Sequence, residues 1–170
     1  PAAPEFWTDA DVADSASTAI TGSRGDSFVG YTAASTAAAT SALTNVGRGS
    51  GNAATFDMSA GGNNTFVAGS NAGTSSGSIA YTGGSGDDSL TFGRDLAYYS
   101  GTATFDMSRG GTNTLIAGNY AAESDGTLSY IGGAGNDSLT FGDDLAYDEG
   151  RAAFDMSRGG TNTLIAGDQA

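Results

Sequence analysis

Cysteine, histidine and lysine are all absent from the 170 residues. Without cysteine there is no disulfide and no thiolate metal site, so redox chemistry says nothing about the compartment. Without His, Lys or Cys, the common ways of activating a nucleophile are missing. A two-carboxylate glycosidase needs none of the three, but nothing in the sequence singles out one acidic pair for that work. The expectation is a protein that is not an enzyme. Positive charge is scarce as well: six basic residues, all Arg, stand against 19 acidic ones, for a net charge of −13. Such a surface repels nucleic acid and anionic membranes and attracts multivalent cations. The plainer account is that acidity keeps the chain in solution. No apolar run approaches the ~20 residues of a membrane helix, so no membrane insertion is expected. No basic-then-apolar leader is present. Pro1 in the first position fits a processed product or a piece of something longer.

What the chain has instead is glycine, 28 of them, and repetition. The phrase FDMSRGGTNTLIAG occupies residues 105–118 and recurs letter for letter at 154–167, with a close relative, FDMSAGGNNTFVAG, at 56–69. Successive copies start 49 residues apart, and each period divides into two similar units of 24 and 25 residues. Units start at Asp26, Asn64, Asp88, Asn113, Asp137 and Asn162. Within a unit the apolar signal has period 2 and is bounded by Gly, which predicts two short strands rather than a helix. The first strand contributes Phe66, Leu90, Leu115, Leu139 and Leu164, and the second Phe56, Tyr81, Phe105, Tyr130 and Phe154. Such a unit cannot bury its own apolar face, but stacking can, one rung ~4.8 Å above the last. The predicted fold is all-β, a parallel β-solenoid of about six rungs over residues 22–170, with an Ala/Ser/Thr-rich insertion near 32–43. Residues 1–21 stand outside the repeat as an N-terminal arm. An inner column alternates in size (Ala68, Phe92, Ala117, Phe141, Ala166), which accounts for an identical repeat of two rungs rather than one. The segments RDLAYYS and DDLAYDE suit a short third side. An antiparallel β-sandwich also fits turns at this spacing, although the near-equal unit lengths favour the solenoid.

Two turns, GGSGDDSLT at 83–91 and GGAGNDSLT at 132–140, read G-G-x-G-x-D-x-L-x. The pattern resembles the nonapeptide of the repeats-in-toxin (RTX) family of secreted bacterial proteins. Glycines permit backbone shapes that turn carbonyl oxygens toward one point, and the Asp adds a hard anionic oxygen. The resemblance implies a β-roll, Ca²⁺ in the turns and export to a calcium-rich exterior or cell surface. It implies side-chain ligation by Asp88 and Asp137, with carbonyls drawn from 83–87 (Gly83, Ser85, Asp87) and 132–136 (Gly132, Ala134, Asn136). The chain departs from the family pattern in having one such turn per rung. In alternate rungs the turn reads DMSRGGTN or DMSAGGNN, and Asn64, Asn113 and Asn162 replace the Asp. Asn113 then offers a neutral oxygen, with charge restored by Asp57, Asp106 and Asp155 from the far end of the turn. The plain alternative is an Asp that only caps backbone amides. Two further features have bland accounts. Arg24–Asp26 spells RGD where a turn is expected, and Asp143–Asp144 are neighbours whose side chains point apart on a strand.

Three functions need no active site. The first is a subunit of an extracellular filament or surface layer, joined head to tail to copies of itself. The open last rung (Asn162, Leu164, Ala166) and the arm residues Phe6 and Trp7 would form the joint, although the arm also suits a tail or a cap on its own first rung. The second is ice binding by the outward columns Thr65/Val67, Ser89/Thr91, Thr114/Ile116, Ser138/Thr140 and Thr163/Ile165. The third is an adhesin stalk stiffened by Ca²⁺.

Overall fold

The computed structural model describes residues 45–59 and 61–170 in full and, within residues 1–44, the backbone of three short strands. The described residues form thirteen strands in chain order: β1 Phe6–Trp7, β2 Thr18–Thr21, β3 Ser27–Val29, β4 Ala53–Asp57, β5 Thr65–Ala68, β6 Ser78–Thr82, β7 Ser89–Phe92, β8 Thr102–Asp106, β9 Thr114–Ala117, β10 Thr127–Ile131, β11 Ser138–Phe141, β12 Arg151–Asp155 and β13 Thr163–Ile165. The odd strands form one seven-stranded sheet and the even strands one six-stranded sheet, each in simple chain order. Every pairing is parallel. This is an all-β parallel β-solenoid, and the described residues contain no helix. Two strands of the segment 1–21 lie in the same two sheets: β1 pairs with β3, and β2 with β4. The insertion at 32–43, the Arg24–Asp26 tripeptide and the side chains of Phe6 and Trp7 lie outside the described residues.

The period-2 pattern does what alternation requires. In β7 and β11 the burial runs half-buried, buried, half-buried, buried. Phe66, Leu90, Leu115 and Leu139 stack as one fully buried column and Phe56, Tyr81, Phe105 and Tyr130 as the facing one, each at most 1% exposed. The size alternation is complementary between sheets. A rung with Ala at the end of its first strand has a large residue early in its second (Ala68 with Ile79, Ala117 with Leu128). A rung with Phe there has Ala (Phe92 with Ala103, Phe141 with Ala152). Large therefore answers small within a rung and along the stack, which keeps the interior close-packed without voids. Phe66 bridges the sheets, its ring 4.7 Å from that of Phe56 and 5.4 Å from that of Phe92.

The third side is a hydrogen-bonded wall without strands. Residues at alternate positions there are left-handed: Asn71, Gly73 and Ser75; then Asp95, Ala97 and Tyr99; then Tyr120, Ala122 and Ser124; then Asp144, Ala146 and Asp148. Amides on this wall bond to neighbouring rungs in both directions. Asp95 N donates to Asn119 O at 3.0 Å and Tyr99 N to Glu123 O at 3.2 Å, while Ala97 N donates back to Ala72 O at 2.8 Å. Left-handed geometry costs a non-glycine residue roughly 1–2 kcal/mol. These inter-rung bonds offset that cost by leaving the buried backbone paired.

Candidate functional site

The residue that opens each rung sits just before an odd strand and points inward with the core Leu two positions later. Asn64, Asp88, Asn113 and Asp137 are all at most 2% exposed. They form one ladder along the solenoid. Asn64 N and Nδ2 both donate to Asp88 Oδ1, at 3.0 and 2.8 Å. Asp88 N donates to Asn113 Oδ1 at 3.0 Å. Asn113 N and Nδ2 donate to Asp137 Oδ1, at 3.0 and 3.1 Å. Asp137 N donates to Asn162 Oδ1 at 2.8 Å. Asn supplies an acceptor to the rung before it and amide donors to the rung after it, and Asp supplies only an acceptor. The alternation of Asn and Asp is therefore a matching of donors to acceptors.

One oxygen of each ladder carboxylate is left over. Asp88 Oδ2 and Asp137 Oδ2 are buried and have no well-formed hydrogen bond among the described residues, although the Tyr130 hydroxyl faces the Asp137 carboxylate. Burial pushes the Asp88 carboxyl above its usual range, against the lowering effect of the Asn64 and Gly84 donors. Burial, followed by the charge of Asp137, pushes the Tyr130 hydroxyl up. Gly83 makes room for this arrangement: a Cβ there would stand 2.5 Å from Asp88 Oδ2 and 2.5 Å from Met107 Sδ.

Of the residues expected to hold Ca²⁺, the structure brings Asp88, Asn113 and Asp137 into one row and gives the others different work. Asp106 Oδ1 accepts from Ser108 N, and Asp155 Oδ1 from Ser157 N, both at 3.0 Å, as local turn caps. The Ser108 and Ser157 hydroxyls, the first cause in each case, together with these backbone caps hold both carboxyls below the usual carboxylate range. Asp87 Oδ1 accepts from Thr112 N, and Asn136 Oδ1 from Thr161 N, both at 2.7 Å, as an outer ladder between rungs. No group of three acidic side chains surrounds a common point among the described residues. Asp88 Oδ2 and Asp137 Oδ2 are the side-chain oxygens that a hard cation in the strict turns would have to use. Its remaining oxygens would have to be backbone carbonyls of 83–87 and 132–136.

Of the residues expected to form the joint, Asn162, Leu164 and Ala166 lie together at the β12–β13 edge, whereas Phe6 and Trp7 form β1 at the opposite edge of the odd sheet. Leu164 is 48% exposed, whereas Leu115, at the same place in the same fourteen-residue phrase, is fully buried. Ala166 is exposed and Phe154 half-buried at that edge. Asn162 donates from Nδ2 to Gly159 O at 2.9 Å, as Asn113 does to Gly110 O at 3.2 Å, and its Oδ1 accepts from Asp137 N.

Sequence reasoning missed the bonding within the ladder, above all the part of Asn64, and a further ladder that takes in Asp143. There Asp143 N donates to Asn119 Oδ1 at 3.2 Å and Asp168 N to Asp143 Oδ1 at 3.0 Å. The signal was present in the strict alternation of Asn and Asp at unit starts.

The outward columns of the odd sheet are in register, Thr65–Ser89–Thr114–Ser138–Thr163 beside Val67–Thr91–Ile116–Thr140–Ile165. No pocket opens among the described residues, and none of their helices could cross a membrane, since there are none. No family model matches the chain, and no curated protein or solved structure does either.

Proposed function

We propose that the chain is a non-enzymatic structural solenoid of the extracellular space or cell surface, which joins copies of itself end to end into a filament or layer and is stiffened by Ca²⁺. The observation that carries this reading is the stack itself: every strand pairs in parallel and in simple chain order in two sheets, so each rung offers the next the same apolar face and backbone groups, and a further copy can continue both sheets with the same polarity. An apolar β edge of this kind pairs readily with another chain. A contact joining one end of a subunit to the other end of the next repeats without closing, which produces a fibre. The lack of His, Lys and Cys supports a role without catalysis. The RTX-like turns and the orphaned oxygens of Asp88 and Asp137 support the cation.

The test is sedimentation velocity with negative-stain microscopy over a concentration series, in millimolar Ca²⁺ and in chelator. Elongated polymers in Ca²⁺ are expected, with a lower melting temperature in chelator. A chain that stays monomeric at high concentration removes the filament reading. A melting temperature indifferent to chelator removes the cation.

A second reading rests on the in-register Ser/Thr and Val/Ile columns of the odd sheet, whose regular spacing suits an ice surface. Thermal hysteresis and ice-crystal shaping by the monomer test it.

A further inference from the structure

We infer that copies of the chain also join side by side, the Arg109 and Arg158 edge of one copy seating on the tyrosine- and carboxylate-bearing third wall of the next. This deepens the layer part of the reading above: end-to-end joining alone gives filaments, and this contact ties them sideways.

In each rung the strandless wall leads from the odd strand to the even strand, and the Gly-rich turn leads back, so wall and turns form opposite edges of the stack. The wall segments 94–100, 119–125 and 143–149 hold seven carboxylates against one Arg. On the turn edge, Asp106 and Asp155 are engaged in their caps, whereas Arg109 and Arg158 are exposed and make no ion pair among the described residues.

The wall already holds one guanidinium. Arg94 lies 5.1 Å over the Tyr120 ring with Nε 2.9 Å from Asp95 Oδ2, between a carboxylate of one rung and a ring of the next. The same two groups recur there without a cation. Asp95 and Tyr98, then Tyr120 and Glu123, then Asp144 and Tyr147 set ring beside acid along both columns of successive rungs. Glu123 Oε2 is buried without a hydrogen-bond partner among the described residues, and Tyr147, in the neighbouring rung, is 50% exposed. Burial, followed by the charges of Asp144, Asp148 and Asp95, pushes the Glu123 carboxyl up, a cost that an incoming cation removes. Arg suits the place because its plane stacks on a ring while its N–H groups reach a carboxylate. The spacing matches as well. Arg109 and Arg158 are 49 residues apart, as are Asp95 and Asp144, and Tyr98 and Tyr147. That is two rungs, or about 9.6 Å, so two arginines meet two equivalent places at once. Because each copy uses two opposite edges, the contact repeats sideways without closing.

The experiment uses the full chain at one fixed Ca²⁺ concentration, with sedimentation and negative-stain microscopy, and monomer melting as a control for folding. Wild type is compared with an edge variant (Arg109→Glu with Arg158→Glu) and a wall variant (Asp148→Arg with Glu149→Arg), all at exposed positions. Arg109→Gln with Arg158→Gln repeats the edge test without charge reversal. Wild type is expected to associate sideways, less so as ionic strength rises through about 0.1 M, where the screening length is about 10 Å. Each charge-reversed variant alone is expected to lose sideways association about tenfold or more. An equimolar mixture of the two is expected to recover it, because the Glu edge of one meets the Arg wall of the other. If folded edge variants associate sideways like wild type, or the mixture does not recover, the inference is wrong, and filaments that still elongate leave the end-to-end reading standing. Side-by-side oligomers without filaments support the inference and remove the end-to-end reading. A wild type that stays monomeric overturns both. An Arg-rich peptide that binds such a monomer but not the wall variant assigns the wall to a cationic partner and overturns the second copy.

Discussion

The two copies of one phrase permit a controlled measurement, because the same substitution can be made twice with identical local sequence. Leu115 and Leu164 occupy the same place in β9 and β13, and only their surroundings differ. Leu115 is stacked between Leu90 and Leu139 and is 0% exposed, whereas Leu164 has Leu139 on one side and 48% of its surface open. Leu115→Ala forfeits the full transfer free energy of the lost methyl groups and leaves a cavity between two rungs that are hydrogen-bonded on all three sides and cannot collapse. Such changes cost about 2–5 kcal/mol. Leu164→Ala loses roughly half the buried area and opens no closed cavity, so it should cost about 0.5–1 kcal/mol. At about 2–4 °C per kcal/mol for a chain of this size, Leu115→Ala should lower the melting temperature by roughly 4–20 °C and Leu164→Ala by roughly 1–4 °C.

The assay is thermal unfolding followed by circular dichroism at a concentration where sedimentation finds only monomer. Fraying of the end rung would shrink the Leu164→Ala effect further, so it cannot mimic a large one. Equal shifts at the two positions would refute the reasoning, because they would mean that Leu164 is already covered in the monomer. At concentrations where the chain elongates, the ranking should invert for assembly. Leu164→Ala should then weaken the joint, and folded Leu115→Ala monomers should still elongate.

Two further outcomes follow from the turns. In chelator, Asp88 keeps a folded-state pKa raised by burial, so its contribution is fully present below the unfolded value and is lost as pH rises through the carboxylate range. Glu123, also raised by burial and then by Asp144, Asp148 and Asp95, acts in the same direction. The turn caps Asp57, Asp106 and Asp155 have lowered values, so their contribution is present above the unfolded pKa and is lost on acidification. Saturating Ca²⁺ should cancel the Asp88 part, making the Ca²⁺-induced gain in melting temperature larger at pH 7 than at pH 4; a gain independent of pH would place the ion elsewhere. Gly84→Ala would set a Cβ against the Gly61 backbone, 2.6 Å from Gly61 N and 2.9 Å from Met58 O, and should force the rungs apart and abolish cooperative melting. Gly110→Ala meets no atom within 4 Å but sits at φ +115°, so it should cost only about 1–2 kcal/mol, and a matched loss at both sites would contradict the rung spacing.

The sheets were readable in the chain because a strand's period-2 signal survives wherever one face is buried and the other is not. Leu90 and Phe92 against Ser89 and Thr91 is such a case, and the register between rungs then follows from unit lengths of 24 and 25. The third side was not readable in the same way. Its order comes from left-handed backbone at Ala97, Ala122 and Ala146, residues with no preference for that conformation. Gly47 and Gly73 at the equivalent positions were a local sign, as were Asn45, Asn71, Asp95 and Asp144 two residues earlier. The candidate site lay between these cases. The Gly-rich turns marked the place, but the motif pointed toward a cation, and bonds between Asn and Asp 24 or 25 residues apart belong to stacking. No window shorter than a full rung contains both partners.

Stacking also explains why the chain repeats over two rungs rather than one. Three alternations share the longer period: Ala with Phe at the end of the odd strands, Ala with a large aliphatic residue early in the even strands, and Asn with Asp in the ladder. A slip of one rung sets Phe92 and Phe141 over Phe-bearing neighbours, which overpacks the core at about 1–3 kcal/mol per site. It also sets Asp beside Asp and Asn beside Asn along the buried row. Two carboxylates one rung apart, each stripped of water and of its Asn donors, cost several kcal/mol per contact. A slip of two rungs restores every match. The even count is therefore enforced at each interface, by volume and by donor–acceptor pairing at once. The fourteen identical residues at 154–167 carry the same requirement to whatever rung is placed on them.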